Sequence, residues 1–248
     1  MITLARLKNS ARLLQRSRFH YYRMAMLQPP FWLSANGKTC RVIAGNDLGA
    51  GSCYAEVVVE DCYHIFHYAK RASPQVIVDI GANFGVFSKL CSLLFPQSDI
   101  YAYEPNPSAV NWLAQNASGT RIQVIRGAVG QSAGEVKLDT SYDSTIGRIK
   151  ANGNLVVQCI GASDVAAGRQ IDLLKMDCEG SEYSILQDLT LLNRTKEVCM
   201  EYHLFDGHSL DELTGLIEKA GHQVLSISNT KEDGQFGIIH SAHKSIAL

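Results

Sequence analysis

Proline is scarce in this chain: there are six, and none follows Pro107. Nothing beyond that point therefore breaks a helix interior or a central strand through proline chemistry. Long apolar runs are missing as well. The best candidates, around Val76–Val86 and Leu90–Phe95, are interrupted by Asp79, by glycines and by Pro96. Neither approaches the roughly 18 uninterrupted apolar residues of a membrane-crossing helix. The seven cysteines (Cys40, Cys53, Cys62, Cys91, Cys159, Cys178 and Cys199) contain no C-x-x-C pair, which argues against a zinc framework or a redox dithiol. Scattered singly, with no secretory hydrophobic segment ahead of them, they read as reduced thiols of a cytoplasmic protein and mostly as small core residues.

A net charge excess is also lacking, at −1, but the sum hides a split. Residues 1–46 hold eight Lys/Arg (Arg6, Lys8, Arg12, Arg16, Arg18, Arg23, Lys38 and Arg41) and no acid. The rest of the chain has fifteen basic against 24 acidic residues, a balance of −9. An acidic body lacks the cationic face that a nucleic-acid binder needs. No nucleic acid is therefore expected among its partners. What is present, 46% apolar and 19% charged residues over 248 positions, suits a packed globular enzyme.

The opening stretch, Met1–Met26, spaces Leu4, Leu7, Ala11 and Leu14 as one face of a basic amphipathic helix. Three readings fit it: packing on its own domain or a partner, peripheral contact with an anionic membrane surface, or an organellar transit peptide. The domain boundaries expected are a helical arm and lead-in segment over residues 1–55 and a catalytic domain over 56–248. Within the lead-in, Thr39–Ala44 reads as a strand and Asn46–Ser52 as a loop. Glu56–Ala69 is expected as a helix, with Val57–Val59 open to a strand reading.

From Val76 onward, strands and helices alternate. Strands are predicted at Val76–Asp79, Ile100–Tyr103, Gln123–Arg126, Glu135–Leu138, Val156–Ile160, Asp172–Met176, Glu197–Glu201, Gln223–Ser228 and Gly237–His240. Helices are predicted at Gly85–Phe95, Ser108–Asn116, Ser181–Leu189 and Leu210–Ala220. Such alternation specifies an α/β fold, a doubly wound and mostly parallel Rossmann-like sheet.

In that architecture a ligand sits beyond the carboxyl ends of the strands. The first strand is followed by Asp79-Ile-Gly81-Ala82-Asn83-Phe-Gly85, whose glycines permit close backbone approach. The second is followed by Glu104-Pro-Asn106, a carboxylate suited to ribose hydroxyls. The third is followed by Gly127-Ala128-Val-Gly130, small enough for an adenine ring. Three such ends in succession point to a nucleoside-containing cofactor. The spacing is not that of a dinucleotide fingerprint, and Asp79 would repel a pyrophosphate. S-adenosylmethionine, with an ammonium, a sulfonium and no phosphate, fits that charge better than NAD.

The runs VIVDIGANFGVFSKL, YAYEPNP, IRGAVG, IDLLKMDCEGSEYSIL and MEYH resemble the FkbM-type family of S-adenosylmethionine-dependent methyltransferases, over about Val76 to His203. The resemblance implies a seven-stranded methyltransferase sheet with an antiparallel last strand and O-methyltransferase activity. It also implies that Asp79, Gly81, Ala82, Asn83 and Gly85 form the methionine-binding turn and that Glu104 meets the ribose. Asn106 would then lie near the adenosine, Ala128 beside the adenine, and Asp177 would face the transferring methyl. Lys175 and Glu179 read equally well as an ion pair, a helix N-terminal charge or catalytic groups.

His203, at a strand end, is the expected general base, with Asp177 and Glu179 as its catalytic companions. A divalent metal on Asp177, Glu201 and His203 is a rival arrangement, although no metal is expected. The acceptor pocket is expected in the segments Asn46–Tyr63 and Thr140–Leu155. Two other functions remain open at this point: a nicotinamide-dependent oxidoreductase, and a non-catalytic cofactor-binding domain of the same fold.

Overall fold

A computed structural model describes residues 27–45, 48–140, 147–229 and 235–245. The arm expected over Met1–Met26 lies outside them, as do Asn46, Asp47 and residues 141–146. The described chain opens with a hairpin of β1 (Phe31–Ala35) and β2 (Lys38–Val42). Ala35 pairs with Lys38 across Asn36-Gly37, and both turn residues have positive φ, 51° and 73°. Such two-residue turns match the twist of the strands they join. Next come helices α1 (Leu48–Tyr54) and α2 (Ile65–Tyr68), separated by a wide helical turn at Ala55–Val59.

The alternating part follows: β3 (Val76–Ile80), α3 (Val86–Leu94), β4 (Asp99–Glu104), α4 (Pro107–Ala117), β5 (Ile122–Arg126), β6 (Ala128–Gly130), β7 (Gly134–Asp139), β8 (Arg148–Ile149) and β9 (Leu155–Gly161). After a 3₁₀ segment at Ala162–Gly168 the chain continues through β10 (Ile171–Met176), α5 (Glu182–Leu186), α6 (Thr190–Asn193), β11 (Thr195–His203), α7 (Leu210–Lys219), β12 (His222–Asn229) and β13 (Phe236–His243).

Seven strands form the main sheet in the order β12-β13-β11-β10-β3-β4-β5. All neighbours are parallel except along β13, which runs against β11 and β12. The antiparallel last strand is thus the one expected. Beside this sheet, β6, β9, β7 and β8 form a smaller one. Every residue of β3 is buried, as a strand covered on both faces must be. Its side chains alternate between two apolar clusters. Ile77 joins the one built by the hairpin, α1, α2 and α3; Val76, Val78 and Ile80 join the one built by α5, α6 and α7.

Local chemistry sets the helix starts. Asn106 caps α4 by accepting from the Ser108 amide, with Pro107 at the first helical position. Ser209 caps α7 by accepting from the Glu212 amide.

Three expectations need correction. Asn46–Ser52 is not all loop, since Leu48–Tyr54 is helical. Glu56–Ala69 is not one helix, because Asp61 and His64 adopt left-handed φ of 53° and 51° and break it. Ser181–Leu189 ends at Leu186, and Asp188 then accepts from the Thr190 amide to start a separate turn. The short strands β1 and β6 were not anticipated. Residues before Glu56 contribute Phe31, Leu33, Val42, Ala50 and Tyr54 to the first apolar cluster.

Candidate active site

The strand order reverses between β3 and β10, so their carboxyl ends open the crevice where a ligand fits. The turn after β3 is pinned from the neighbouring strand: the amides of Gly81 and Ala82 both donate to the Tyr103 carbonyl, at 3.0 and 2.9 Å. Gly81 has a φ of +74°, and a β-carbon there would lie 1.8 Å from the Asp177 carbonyl oxygen. Only glycine permits this approach of the β3 turn to the end of β10. Gly85, also left-handed, precedes α3.

Glu104 ties the cofactor-side turns together. One carboxylate oxygen accepts from the Asn83 amide and the other from the Asn106 amide, each at 2.8 Å. Burial pushes its carboxyl up to about 7 despite those two hydrogen bonds. Ala128 is buried at the start of β6, and the preceding Gly127 amide donates to the Glu104 carbonyl. Asn106 spends its side-chain oxygen on the α4 cap.

Asp79 has no exposed surface. Its Oδ2 accepts from the Ser88 hydroxyl at 2.6 Å, and its Oδ1 lies 3.4 Å from Lys175 Nζ. The carboxylate therefore supports the turn from beneath. Lys175 also donates to the Gly81 carbonyl at 2.7 Å and lies 3.5 Å from Asp177. Burial alone would lower its pKa, but Asp177 and Asp79 outweigh that and raise it. Lys175 is an ion-paired strut between the ends of β3 and β10.

Beyond the turn, carboxylates crowd around one imidazole. Asp177 Oδ2 accepts from the Tyr63 hydroxyl at 3.1 Å. His203, at the end of β11, places Nδ1 3.2 Å from Glu182 and Nε2 3.5 Å from Glu179. Burial would lower the pKa of this histidine, but the Glu182 contact leads a group of acidic neighbours that raise it to about 9. These acids favour the protonated form of the free imidazole. Burial, helped by Asp177, moves Glu179 up to about 7. The same causes move Glu56 to about 8 and lift Glu201 well above its usual value. Arg148 donates from Nε to the Glu179 carbonyl at 3.2 Å and stacks its guanidinium 3.6 Å from the Phe205 ring centre.

Tyr63, Glu56, Glu182, Arg148 and Phe205 were not among the expected site residues. Tyr63 and Glu56 do come from the first segment expected to line an acceptor pocket, and Arg148 from the second. No spacing in the sequence pairs them with Asp177 or Glu179. Glu182 alone carried a local signal, three residues past Glu179 at the start of α5.

Residues 79–224 match the family model described as the methyltransferase FkbM domain. The chain belongs to the FkbM methyltransferase family. Its relatives include the hexuronic acid methyltransferase AglP of Haloferax volcanii, 26% identical over 154 residues. That alignment covers 58% of this chain and 62% of AglP, so it spans about three-fifths of that relative's length. Another is the 31-O-demethyl-FK506 methyltransferase FkbM of Streptomyces tacrolimicus, 26% identical over 214 residues, 70% of this chain and 82% of that protein. Among solved structures, the magnesium protoporphyrin IX methyltransferase ChlM of Synechocystis, with bound SAM, superposes with a TM-score of 0.51. It is 10% identical, with 96% of this chain and 97% of that one covered, and it shows the shared fold.

S-adenosylmethionine is the cofactor of this FkbM-family enzyme, and the chemistry of the crevice fits it. The crevice is lined by Glu104, Asp177 and Glu179, with its buried lysine already paired to Asp79 and Asp177. A cationic, phosphate-free ligand suits such a lining, and a pyrophosphate does not. No described helix is long and apolar enough to cross a membrane.

Proposed function

We propose that this FkbM-family enzyme methylates a hydroxyl of a sugar, a glycan or another small molecule. The turn from Gly81 to Gly85 would hold the methionine end of the cofactor, Glu104 the ribose, and the Ala128 backbone the adenine. When bound, S-adenosylmethionine supplies an electrophilic methyl group. The observation that carries the reading is the cluster of Asp177, Glu179 and His203 immediately beyond that turn, with Asp177 packed against Gly81.

An oxygen acceptor must be aligned with the methyl group and must lose a proton. In this reading Asp177 and His203 orient the hydroxyl, and Glu179, 3.5 Å from His203 Nε2, receives its proton. The relatives support oxygen as the acceptor atom: one is named for a hexuronic acid, the other for 31-O-demethyl-FK506.

The test is methyl transfer from isotopically labelled S-adenosylmethionine to a panel of hexuronic acids, neutral sugars and macrolide alcohols, with products mapped by mass spectrometry. An O-methylated product is expected. Transfer only to nitrogen or carbon acceptors would overturn the assignment. Glu179→Gln should lower turnover by about 10²–10⁴-fold with cofactor affinity kept. Full turnover in that variant would remove Glu179 as proton acceptor.

A further inference from the structure

The same crevice holds a set of side chains with the donor types of a metal site. One ligand atom each from Asp177, Glu201 and His203 lies within 4.8 Å of the other two. The three come from the carboxyl ends of two adjacent parallel strands, β10 and β11, which form a rigid base for a coordination site.

Both carboxylates have an oxygen to spare. Asp177 uses Oδ2 for Tyr63 and Lys175, leaving Oδ1 without a hydrogen bond among the described residues. Glu201 is half-buried and directed into the cluster, yet its side chain makes no hydrogen bond or ion pair among the described residues. Burying a carboxylate without a partner is costly unless a cation compensates it.

The third feature is Glu182, which is fully buried. Its Oε1 accepts from the Cys178 amide at 3.0 Å and faces His203 Nδ1 at 3.2 Å. A carboxylate fixed behind one imidazole nitrogen presents the other to a metal, the usual support of a metal-ligating histidine. Glu179 stands 3.5 Å from that other nitrogen as a further oxygen. The nearest lysine, Lys175, is already shared between Asp79, Asp177 and the Gly81 carbonyl. It makes no ion pair with Glu201.

We propose that Asp177, Glu201 and His203 form a divalent-cation site at the floor of the acceptor crevice. Two carboxylates with one imidazole suit Mn²⁺ or Zn²⁺ better than Ca²⁺ or Mg²⁺, which prefer oxygen-only shells. Coordination would displace the proton from the His203 nitrogen. The cation would hold two acceptor oxygens, or one hydroxyl, beside the methyl group and ease loss of the hydroxyl proton. This use of the cation rests on the O-methylation reading; the site itself does not.

The experiment is titration of chelator-stripped full-length protein with MnCl₂, free Mn²⁺ being read by electron paramagnetic resonance. Native protein should bind one Mn²⁺ per chain. Glu201→Gln should weaken that binding by about tenfold or more. Unchanged S-adenosylhomocysteine binding, measured by calorimetry, would show that the variant is folded. If Glu201→Gln does not fold, Glu182→Gln provides the second arm and should weaken Mn²⁺ by about tenfold. Absence of bound Mn²⁺ in the native protein would overturn the proposal, as would equal affinity in a folded variant. Binding is read without acceptor or turnover, so failure of the O-methylation reading would show separately.

Discussion

Glu104 combines two tasks in one side chain. It locks the turns after β3 and β4 through the Asn83 and Asn106 amides, and it is the carboxylate proposed to receive the ribose hydroxyls. Burial holds its carboxyl near 7, above the usual 4.5. The folded state therefore retains its proton more tightly than the unfolded chain. The stability this contributes is complete below about 4.5 and is lost as pH rises through about 7. Ligand binding runs the other way, because ribose hydroxyls donate best to the ionised form. S-adenosylhomocysteine affinity should therefore rise between pH 6 and 8, with uptake releasing up to one proton. Calorimetry in buffers of different ionisation enthalpy checks this. Glu104→Gln should cost about 1.5–3 kcal/mol of binding and flatten the pH profile. An unchanged affinity in the folded variant would remove the ribose assignment.

At the level of elements, two contacts hold the frame around the crevice. The first is the approach of the β3 turn to β10. Gly81→Ala would drive a β-carbon into the Asp177 carbonyl in a left-handed conformation, so a loss of about 3 kcal/mol or more is expected. Gly119 has nearly the same φ, +70°, but a β-carbon added there would meet no heavy atom within 4 Å. Gly119→Ala should therefore lose only the backbone term, about 1–2 kcal/mol. Urea unfolding of the two variants separates steric clash from φ strain.

The second contact is Asn116 on α4. Its amide nitrogen donates to the carbonyls of Ile43 and Phe84, both at 2.7 Å, and its oxygen accepts from the Ile43 amide at 3.0 Å. This one side chain ties the segment after the hairpin to the segment before α3. Asn116→Ala would leave these groups without partners and should cost about 3 kcal/mol or more, read by the same unfolding assay. Spacing alone could not reveal that link, since Ile43 lies 73 residues away. It could reveal α4 itself, because Asn106, Pro107 and the apolar positions Val110 and Leu113 are local.

Across the whole molecule, acid should act where a half-buried histidine is held neutral. His240, in β13, stacks on His64 with ring centres 4.1 Å apart and bonds the Cys62 carbonyl at 3.1 Å. Burial, reinforced by His64, lowers its pKa from 6.5 to about 4. A histidine depressed in the folded state contributes stability that is complete above about 6.5 and drains away as pH falls toward 4. Its share approaches about 3 kcal/mol. Denaturant unfolding at pH 7 and pH 4.5 should show this loss in native protein and a smaller one in His240→Gln. Equal losses would mean that other groups control the acid limb. The contact also joins the helical lead-in to the far side of the main sheet, so acid loosening there reaches residues 62–64 beside Tyr63.

The strand ends and turns that open the crevice were legible in the sequence because each part is local. A buried β-branched strand such as Val76–Ile80 announces itself, the residues after it must lie at the sheet's carboxyl edge, and Gly81, Glu104 and Ala128 follow three successive strands. The alternation of strands and helices likewise determined the fold class. Tertiary structure decided the rest, through contacts that no periodicity encodes. It set Asp79 beneath the turn by pairing it with Lys175, and it brought Tyr63 to Asp177 across 114 residues. It also set His203 between Glu182 and Glu179, whose contacts outweigh burial and raise its pKa to about 9. The physical reason is that charge state depends on burial and on neighbours within a few ångströms. Those neighbours come from strands and loops that only the folded sheet brings side by side.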